Sequence, residues 1–263
     1  DLPSQIRNRY LKYCFSHSIR CYMSPKISDI ILLGTDRIHL FDTPLLMCRN
    51  QGLSMEQRAA KRVLDIIVSG LGIIVSSPIM LIIAIAVKAY DGGPVFYLQD
   101  RLTYQGKEFR IRKFRSMCVD SEKNGARLAS KHDSRITPVG HVLRNLHLDE
   151  LPQLFNVFMG DMSLVGPRPE RDVIMQEYEQ EIPEFHYRLK VKAGLTGYAQ
   201  VYGKYNTTPY DKLKLDLFYI ENYSFLLDIK LLFMTVKIFF QKEVSEGVDD
   251  NQKNALKDSE EKK

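Results

Sequence analysis

A long apolar segment constrains the fold of this chain more than any other feature of the sequence. The 25 residues from Val63 to Val87 carry a single charge, Asp65, near their start. A straight helix of this length would measure roughly 37 Å, which exceeds the ~30 Å thickness of a bilayer's hydrocarbon core. The segment therefore favours a membrane helix over a helix buried in a globular core.

The middle of this segment contains the sequence Ser76-Ser77-Pro78. A proline inside a helix removes a backbone hydrogen bond, and neighbouring serine hydroxyls can bond the carbonyls that it frees. Each arm would then be roughly 20 Å long, too short to span the bilayer. Because basic residues flank both ends, we expect a re-entrant hairpin over residues 57–90, broken at Ser77-Pro78, with both ends in the cytoplasm. A proline-kinked spanning helix is the alternative.

The charge and cysteine content narrow the class of protein. The 37 basic and 32 acidic residues leave a mild positive excess, which fits an anionic partner but not a dedicated nucleic-acid-binding protein. The four cysteines have neither the spacing of a zinc site nor the density of a disulfide framework, so we expect reduced thiols. Residues 1–56 contain no recognisable site and are interpreted as a piece of α/β structure or a linker.

Local patterns predict the elements that follow the apolar segment. Residues 95–117 alternate as in a β-hairpin, with turn residues near Gln105-Gly106. Residues 139–160 are expected to be helical on both sides of Pro152, and a further helix is predicted over 171–181. The glycine-rich stretch 192–204 is expected to be a loop that a ligand approaches closely.

The C-terminal region combines an apolar stretch with a polar tail. Residues 224–242 are rich in Leu, Ile and Phe but include Asp228, Lys230 and Lys237. They predict either an interfacial amphipathic helix or a core helix. The tail 244–263 lacks aromatic residues and is expected to be disordered.

Two adjacent carboxylates, Asp149 and Glu150, are the strongest candidates for chemistry. Arg144 stands five residues before Asp149, so on one helix the two side chains would lie close to the same face. Paired carboxylates beside phosphate-binding arginines suggest Mg²⁺ held together with substrate phosphates, and a carboxylate can also attack phosphorus to form an acyl-phosphate. In the alternative interpretation the two acids only favour a helix N-terminus beside Pro152.

Basic side chains suited to phosphate occur on both sides of this acidic pair. The run RIRKFRSM contains Arg112, Lys113 and Arg115, which could cradle phosphates or form a basic face on anionic lipid headgroups. Arg168 stands between two prolines, so its stiff backbone favours a preorganised side chain and a functional role.

Six stretches of this chain resemble, in the same order, the bacterial sugar transferase family of monotopic polyprenyl-phosphate phosphoglycosyl transferases. They extend from about residue 58 to 243 and read KRVLDIIVSGLGIIVSSP, GGPVFYLQDR, FRIRKFRSM, LDELPQLFNVFMGDMSLVGPRPE, KVKAGLTGYAQV and LDLFYIENYSFLLDIKLL. The resemblance implies an α/β (α+β) fold. A small, helix-rich catalytic domain over 91–243, with a short β-hairpin or sheet and interfacial amphipathic helices, would sit on the re-entrant hairpin. Residues 1–56 would be the remnant of a preceding regulatory domain or a linker.

The resemblance also implies an activity and its site. Members of the family transfer a sugar phosphate from a UDP-sugar to undecaprenyl phosphate or a similar carrier, release UMP and use Mg²⁺. Asp149 would be the nucleophile that forms a covalent phosphosugar intermediate, and Glu150 would assist it and share the metal. The implied substrate- and phosphate-binding residues are Arg144, Arg168, Lys113, Arg115, Arg112 and Gln200.

The same resemblance implies a cellular setting for the reaction. Such an enzyme acts at the cytoplasmic face of the bacterial inner membrane and starts the assembly of capsule, exopolysaccharide or O-antigen type glycans. Its partners are membrane lipid and the two substrates, without nucleic acid, and it can form a homo-oligomer.

One segment departs from the family pattern, and two other mechanisms remain open. The segment KAGLTGYAQVYGK places Ala193, Tyr198, Tyr202 and Lys204 where other residues are commoner in the family, which leaves the acidic pair intact and the sugar open. Direct transfer in a ternary complex would make Asp149 only a metal ligand. A non-catalytic membrane adaptor would use its basic face to bind headgroups.

Overall fold

The structure is a computed structural model that describes residues 3–48, 52–119, 133, 135–204 and 206–239. The predicted tail 244–263 lies outside the described residues. The first described elements are two helices, α1 (Ser4–Ser16) and α2 (Ile27–Leu33), and a hairpin of strands β1 (Asp36–Leu40) and β2 (Thr43–Met47). Ile27 and Ile30 of α2 are buried in the main core, so part of the 1–56 region packs on the rest of the chain.

The apolar segment forms one long helix, α3 (Met55–Asp91). It begins at Ser54, whose hydroxyl accepts from the backbone N–H of Gln57, and it ends at Gly92, whose φ of 70° suits a residue without Cβ. Among the described residues, α3 is the helix long and apolar enough to cross a membrane.

The helical assignment of α3 is continuous through Pro78. Ser76 Oγ donates to Gly72 O at 2.6 Å and Ser77 Oγ donates to Ile74 O at 2.8 Å, so both hydroxyls bond carbonyls near the proline, as the sequence predicts. The arrangement of the two arms as a re-entrant hairpin stays a prediction.

The predicted β-hairpin is confirmed. Strands β3 (Phe96–Leu102) and β4 (Glu108–Phe114) pair antiparallel, and the turn between them places Gln105 and Gly106 at φ of 58° and 74°. The remaining elements are α4 (Pro138–Asn145), α5 (Gln153–Met159), β5 (Ser163–Val165), α6 (Asp172–Glu181), β6 (Gly194–Thr196), α7 (Tyr198–Tyr202), α8 (Pro209–Glu221) and α9 (Phe225–Phe239). Short 3-10 helices cover Leu148–Glu150 and Pro183–Lys190.

Two expectations for the C-terminal half change. The stretch 192–204 is not a loop throughout: Gly194–Thr196 is β6, parallel to β5, and Tyr198–Tyr202 is α7. Glycine at 194 is required because a Cβ there would lie 2.1 Å from the backbone nitrogen of Gly166, so the glycines serve close strand contact as well as a turn.

The α9 helix buries Leu231 and exposes Leu226 and Phe233, so it has a core face and an apolar outer face.

Buried polar contacts fix the first part of α3 to the core. Lys61 Nζ lies 2.6 Å from Asp228 Oδ2 of α9 and donates to Tyr219 Oη of α8 at 2.9 Å. Asp65 Oδ1 accepts from Ser163 Oγ at 3.0 Å and from the N–H of Leu164 at 2.8 Å. The single charge of the apolar segment is therefore a structural acceptor for β5.

The last part of α3 packs on the same body through a second cluster. Met80, Ile83 and Val87 are buried against Phe114 of β4 and Leu143 of α4. Most other apolar positions of α3 are exposed, among them Ile67, Leu71, Ile74, Val75, Leu81, Ile82 and Ile85. An apolar surface of this extent is typical of contact with lipid.

Candidate active site

A tight turn between α4 and α5 presents the two acidic residues. The α4 helix ends at Asn145, His147 adopts φ of 54°, and Asp149 and Glu150 follow in the 3-10 helix that leads to Pro152 and α5. The prediction that Arg144 and Asp149 share one helix face is wrong, because the left-handed residue at 147 ends the helical register between them. Pro152 precedes α5, close to the first-turn position that the sequence predicts.

Glu150 is held by two cations. Its Oε1 lies 2.6 Å from Lys113 Nζ of β4 and 3.5 Å from an Nη of Arg168. Burial opposes ionisation of this carboxyl, but the charges of Lys113 and Arg168 outweigh it and lower the pKa of Glu150 to about 2. Glu150 is therefore an ionised, oriented group at neutral pH.

Asp149 has the opposite electrostatic setting. Burial raises the pKa of its carboxyl, and the adjacent charge of Glu150 raises it further, while Lys113 and Arg144 act against both. Its neighbour Arg144 is positioned by Ser116, whose hydroxyl accepts from Arg144 Nε at 2.9 Å. A half-buried carboxylate with a raised pKa is less well solvated than an exposed one. Binding to a cation, or bonding to an electrophilic phosphorus atom, would therefore stabilise it.

The loop that carries Arg168 is fixed at four successive carbonyls. Pro167 O accepts from Gly194 N at 2.9 Å, Arg168 O from Arg188 Nη2 at 3.1 Å, and Pro169 O from Arg101 Nη1 at 3.1 Å. Glu170 O accepts from Leu102 N at 3.0 Å. Both prolines are buried and the Arg168 side chain is about half exposed, so the loop is rigid, as predicted, and projects one guanidinium outward.

Arg188 is a buried residue that supports this loop, and no pattern in the sequence pointed to it. Its guanidinium lies 2.8 Å from Asp216 Oδ2 of α8 and 3.4 Å from Glu170 Oε1, and its side chain is 4% exposed. A single arginine within a polar stretch has no periodic pattern that distinguishes it, so only the folded chain reveals its role.

A small open cleft with about 20 Å³ of free volume lies beside the acidic pair. Its lining residues are Arg101, Ile111, Lys113, Glu150, Gln153, Arg168, Pro169, Gly194 and Leu195. Of the residues predicted from the sequence, the structure brings Lys113, Glu150 and Arg168 together here. This volume is far below the roughly 300–1,000 Å³ of typical small-molecule pockets, so the cleft is an open depression whose charged lining can contact the phosphates of a ligand lying over it.

Besides Arg144, three predicted binding residues lie outside the lining of this cleft. Arg115 is buried and pairs with Asp91 at the end of α3, with Nη1 to Oδ2 at 2.6 Å, so its charge is used in a structural ion pair. Arg112 gives its backbone N–H to Asn156 Oδ1, and Gln200 Nε2 donates to Leu195 O at 3.4 Å. The roles of all three in substrate binding stay predictions.

The acidic pair fits a magnesium ion whose other ligands are supplied by water and substrate. Among the described residues no group of three or more His, Cys, Asp or Glu side chains could hold a metal. Mg²⁺ commonly binds through one or two carboxylates together with substrate phosphates, and Asp149 and Glu150 supply those two. Burial and then the charge of Glu150 raise the pKa of Asp149, and a cation bound beside the two carboxylates would offset both effects.

Comparison with known proteins identifies the family. The family of bacterial sugar transferases matches residues 56–242, and the chain belongs to it. Over 87% of the chain it is 44% identical to a UDP-N-acetylgalactosamine-undecaprenyl-phosphate N-acetylgalactosaminephosphotransferase of Aeromonas hydrophila, covering 54% of that protein. Over 77% it is 43% identical to a UDP-glucose:undecaprenyl-phosphate glucose-1-phosphate transferase of Klebsiella pneumoniae, covering 43%.

These relatives extend beyond the matched region. The chain spans about half the length of the curated relatives it matches. The matched residues include α3, the β3–β4 hairpin, the acidic pair and the Arg168 loop, so the family assignment covers the whole candidate site.

Proposed function

We propose that this chain transfers a sugar-1-phosphate from a UDP-sugar to undecaprenyl phosphate, with release of UMP. The observation that supports this most strongly is that a half-buried, poorly solvated Asp149 lies next to a Glu150 that Lys113 and Arg168 hold at a positively charged cleft. The activities for which the two relatives are named, both sugar-phosphate transfers to undecaprenyl phosphate, support the same reaction.

The proposed chemistry has two displacements at one phosphorus. A carboxylate oxygen of Asp149 attacks the phosphorus that carries the sugar, the bond from that phosphorus to the oxygen bridging the two phosphates breaks, and UMP leaves. A phosphate oxygen of the lipid carrier then attacks the same phosphorus, and Asp149 leaves as a free carboxylate. Neither step requires a proton transfer, because both nucleophiles and both leaving groups are oxyanions.

The charged groups of the cleft act on the transferred phosphoryl group. Arg168, on its fixed loop, and Lys113 offer cationic donors to the phosphate oxygens, whose charge is redistributed during transfer. Glu150 keeps Lys113 and Arg168 in place and, with Asp149, would hold Mg²⁺. When bound, Mg²⁺ neutralises phosphate charge and orients the diphosphate.

We further propose that α3 enters the membrane and returns on the same side, with the catalytic body at the cytoplasmic face. The proposal is supported by contacts at both ends of α3: Lys61 with Asp228 near its start and Asp91 with Arg115 at its end. A helix tied at both ends to one body has both ends on one side of the bilayer. Pro78 and its two serines supply the bend that this requires.

The proposed reaction is tested by UMP release. Membranes containing the protein are incubated with undecaprenyl phosphate, Mg²⁺ and each of a panel of UDP-sugars, and UMP is measured together with sugar-phosphate lipid. We expect one or a few UDP-sugars to give equal amounts of both products. The absence of UMP with every UDP-sugar, together with lipid binding that weakens steeply with salt, would instead support the membrane adaptor.

A further inference from the structure

Three polar side chains on one face of β3 form a hydrogen-bonded row that ends in the cleft. Gln99 Nε2 donates to Tyr97 Oη at 2.8 Å, and Gln99 Oε1 accepts from Arg101 Nε at 3.0 Å and from Arg101 Nη2 at 2.6 Å. Alternate residues of a strand share one face, and Lys113 lies on this same face, opposite Tyr97. These hydrogen bonds hold the guanidinium of Arg101 at the edge of the cleft.

The Arg101 guanidinium has donors left for a ligand. It carries five N–H groups, of which two bond Gln99 and one bonds Pro169 O. One N–H therefore remains on Nη1 and one on Nη2. In the part of the chain that the structure describes, no carboxylate forms an ion pair with Arg101, unlike Lys113, which pairs with Glu150 at 2.6 Å.

The excess of positive charge in the cleft lining favours an anionic ligand. Its cations are Arg101, Lys113 and Arg168 and its acid is Glu150, so the lining carries more positive than negative charge, although Glu170 outside the lining also interacts with Arg101 and Arg168. The side chain of Gln153 also lines the cleft and is only 3% exposed, and its Nε2 has no hydrogen-bond partner among the described residues. Buried donors without partners are costly, so an acceptor-rich anion is the ligand that satisfies this lining.

We propose that Arg101 is a phosphate-binding residue of this cleft and that Gln99 is the positioning residue that holds its guanidinium in the binding orientation. The inference rests on the proposed function for the identity of the phosphate compound. Its chemistry is a phosphate ester or diphosphate, which both the UDP-sugar and the lipid carrier supply. Two N–H groups in one plane match two phosphate oxygens, which a lysine ammonium cannot reproduce.

Direct binding tests the proposal without turnover. The full chain in detergent is titrated with UDP in the presence of Mg²⁺, and Arg101→Lys is compared with Arg110→Lys. Arg110 lies opposite Asp100 on the other face of the same hairpin and is 72% exposed. We expect UDP to bind Arg101→Lys at least tenfold more weakly, and Arg110→Lys with the wild-type affinity.

A second variant keeps the test valid if Arg101→Lys is poorly folded. Gln99→Met preserves the size of the side chain and removes the acceptor that orients Arg101. We expect a several-fold rise in a substrate KM with kcat within twofold of wild type, which a general loss of folded protein would not produce. A rise confined to the KM for the UDP-sugar identifies the nucleotide diphosphate as the ligand, and a rise confined to the KM for undecaprenyl phosphate identifies the lipid phosphate.

Two results would overturn the assignment of Arg101. One is wild-type UDP affinity and wild-type KM values for both substrates in folded Arg101→Lys, and the other is a Gln99→Met variant that lowers kcat alone. If the wild type releases no UMP from any UDP-sugar but binds UDP through Arg101, the proposed transfer fails while the phosphate site stands.

Discussion

Lys113 Nζ lies 2.6 Å from Glu150 Oε1, and this contact joins the β3–β4 hairpin to the turn that carries both acidic residues. Arg168 approaches the same oxygen from its fixed loop at 3.5 Å. Glu150 is therefore the group on which the hairpin, the acidic turn and the Arg168 loop converge. Its charge organises the cations of the cleft and raises the pKa of the adjacent Asp149.

The lowered pKa of Glu150 predicts a pH dependence of stability. A carboxyl whose folded-state pKa is about 2, against 4.5 for the ordinary group, stabilises the fold above pH ~4.5 and loses that contribution as pH falls toward 2. Between pH 6 and pH 3 the loss is about 2 kcal/mol. Thermal unfolding of wild type and Glu150→Gln in detergent with EDTA should therefore converge on acidification. Parallel pH curves for the two proteins would show that Glu150 is not charged in this way.

The buried ion pair between Lys61 and Asp228, which joins α3 to α9, should contribute to the free energy of unfolding. Both side chains are nearly inaccessible, so Lys61→Met leaves a buried carboxylate without its cation and should cost about 3–5 kcal/mol of unfolding free energy. The double variant Lys61→Met, Asp228→Leu removes both charges and should recover most of that loss. Unfolding midpoints of four proteins, the wild type, each single variant and the double variant, measure this, and an additive double variant would contradict a direct interaction.

If the reaction uses Mg²⁺, as we propose, removing the ion with a chelator should stop it. EDTA should abolish UMP release and excess Mg²⁺ should restore it, because in the proposed mechanism Asp149 and Glu150 would hold the ion only together with substrate phosphates. Isothermal titration should accordingly detect weak Mg²⁺ binding without nucleotide and tighter binding with UDP. Full activity after exhaustive chelation would remove the metal from the mechanism.

The re-entrant arrangement of α3 predicts the accessibility of its two ends. With the four native cysteines replaced by serine, single cysteines are placed at Met55 and at Tyr90, which are 80% and 51% exposed. A membrane-impermeant maleimide should label neither site in intact spheroplasts and both after lysis. Labelling of one site in intact spheroplasts would establish that α3 spans the membrane.

Local patterns in the sequence were sufficient for much of the fold. Alternation and the Gln105-Gly106 turn predicted the β3–β4 hairpin, and the predicted helix 171–181 corresponds to α6 (Asp172–Glu181). These elements depend on residue spacing and turn chemistry within a few positions, which a single sequence displays.

The parts of the site that were missed depend on contacts between distant residues. Arg101 bonds a carbonyl 68 positions away, and Arg188 bonds one 20 positions away. The shared helix face of Arg144 and Asp149 was mispredicted because helical spacing does not reveal the φ of 54° at His147, but the two charges do interact across the turn. Arg115 is of a residue type that often binds phosphate, but its charge is paired with Asp91. The two residues meet only because α3 packs on β4.

The most direct measurement of the central claim is covalent labelling of Asp149. Purified protein with Mg²⁺ is incubated with a UDP-sugar labelled in the sugar, without lipid carrier, then denatured at once and examined by intact-protein and peptide mass spectrometry. We expect one sugar phosphate on the peptide containing Asp149 in wild type and in the surface control Asp172→Asn, and none in Asp149→Asn. Sustained turnover by Asp149→Asn, or wild-type turnover by intersecting kinetics without labelled protein, would contradict it.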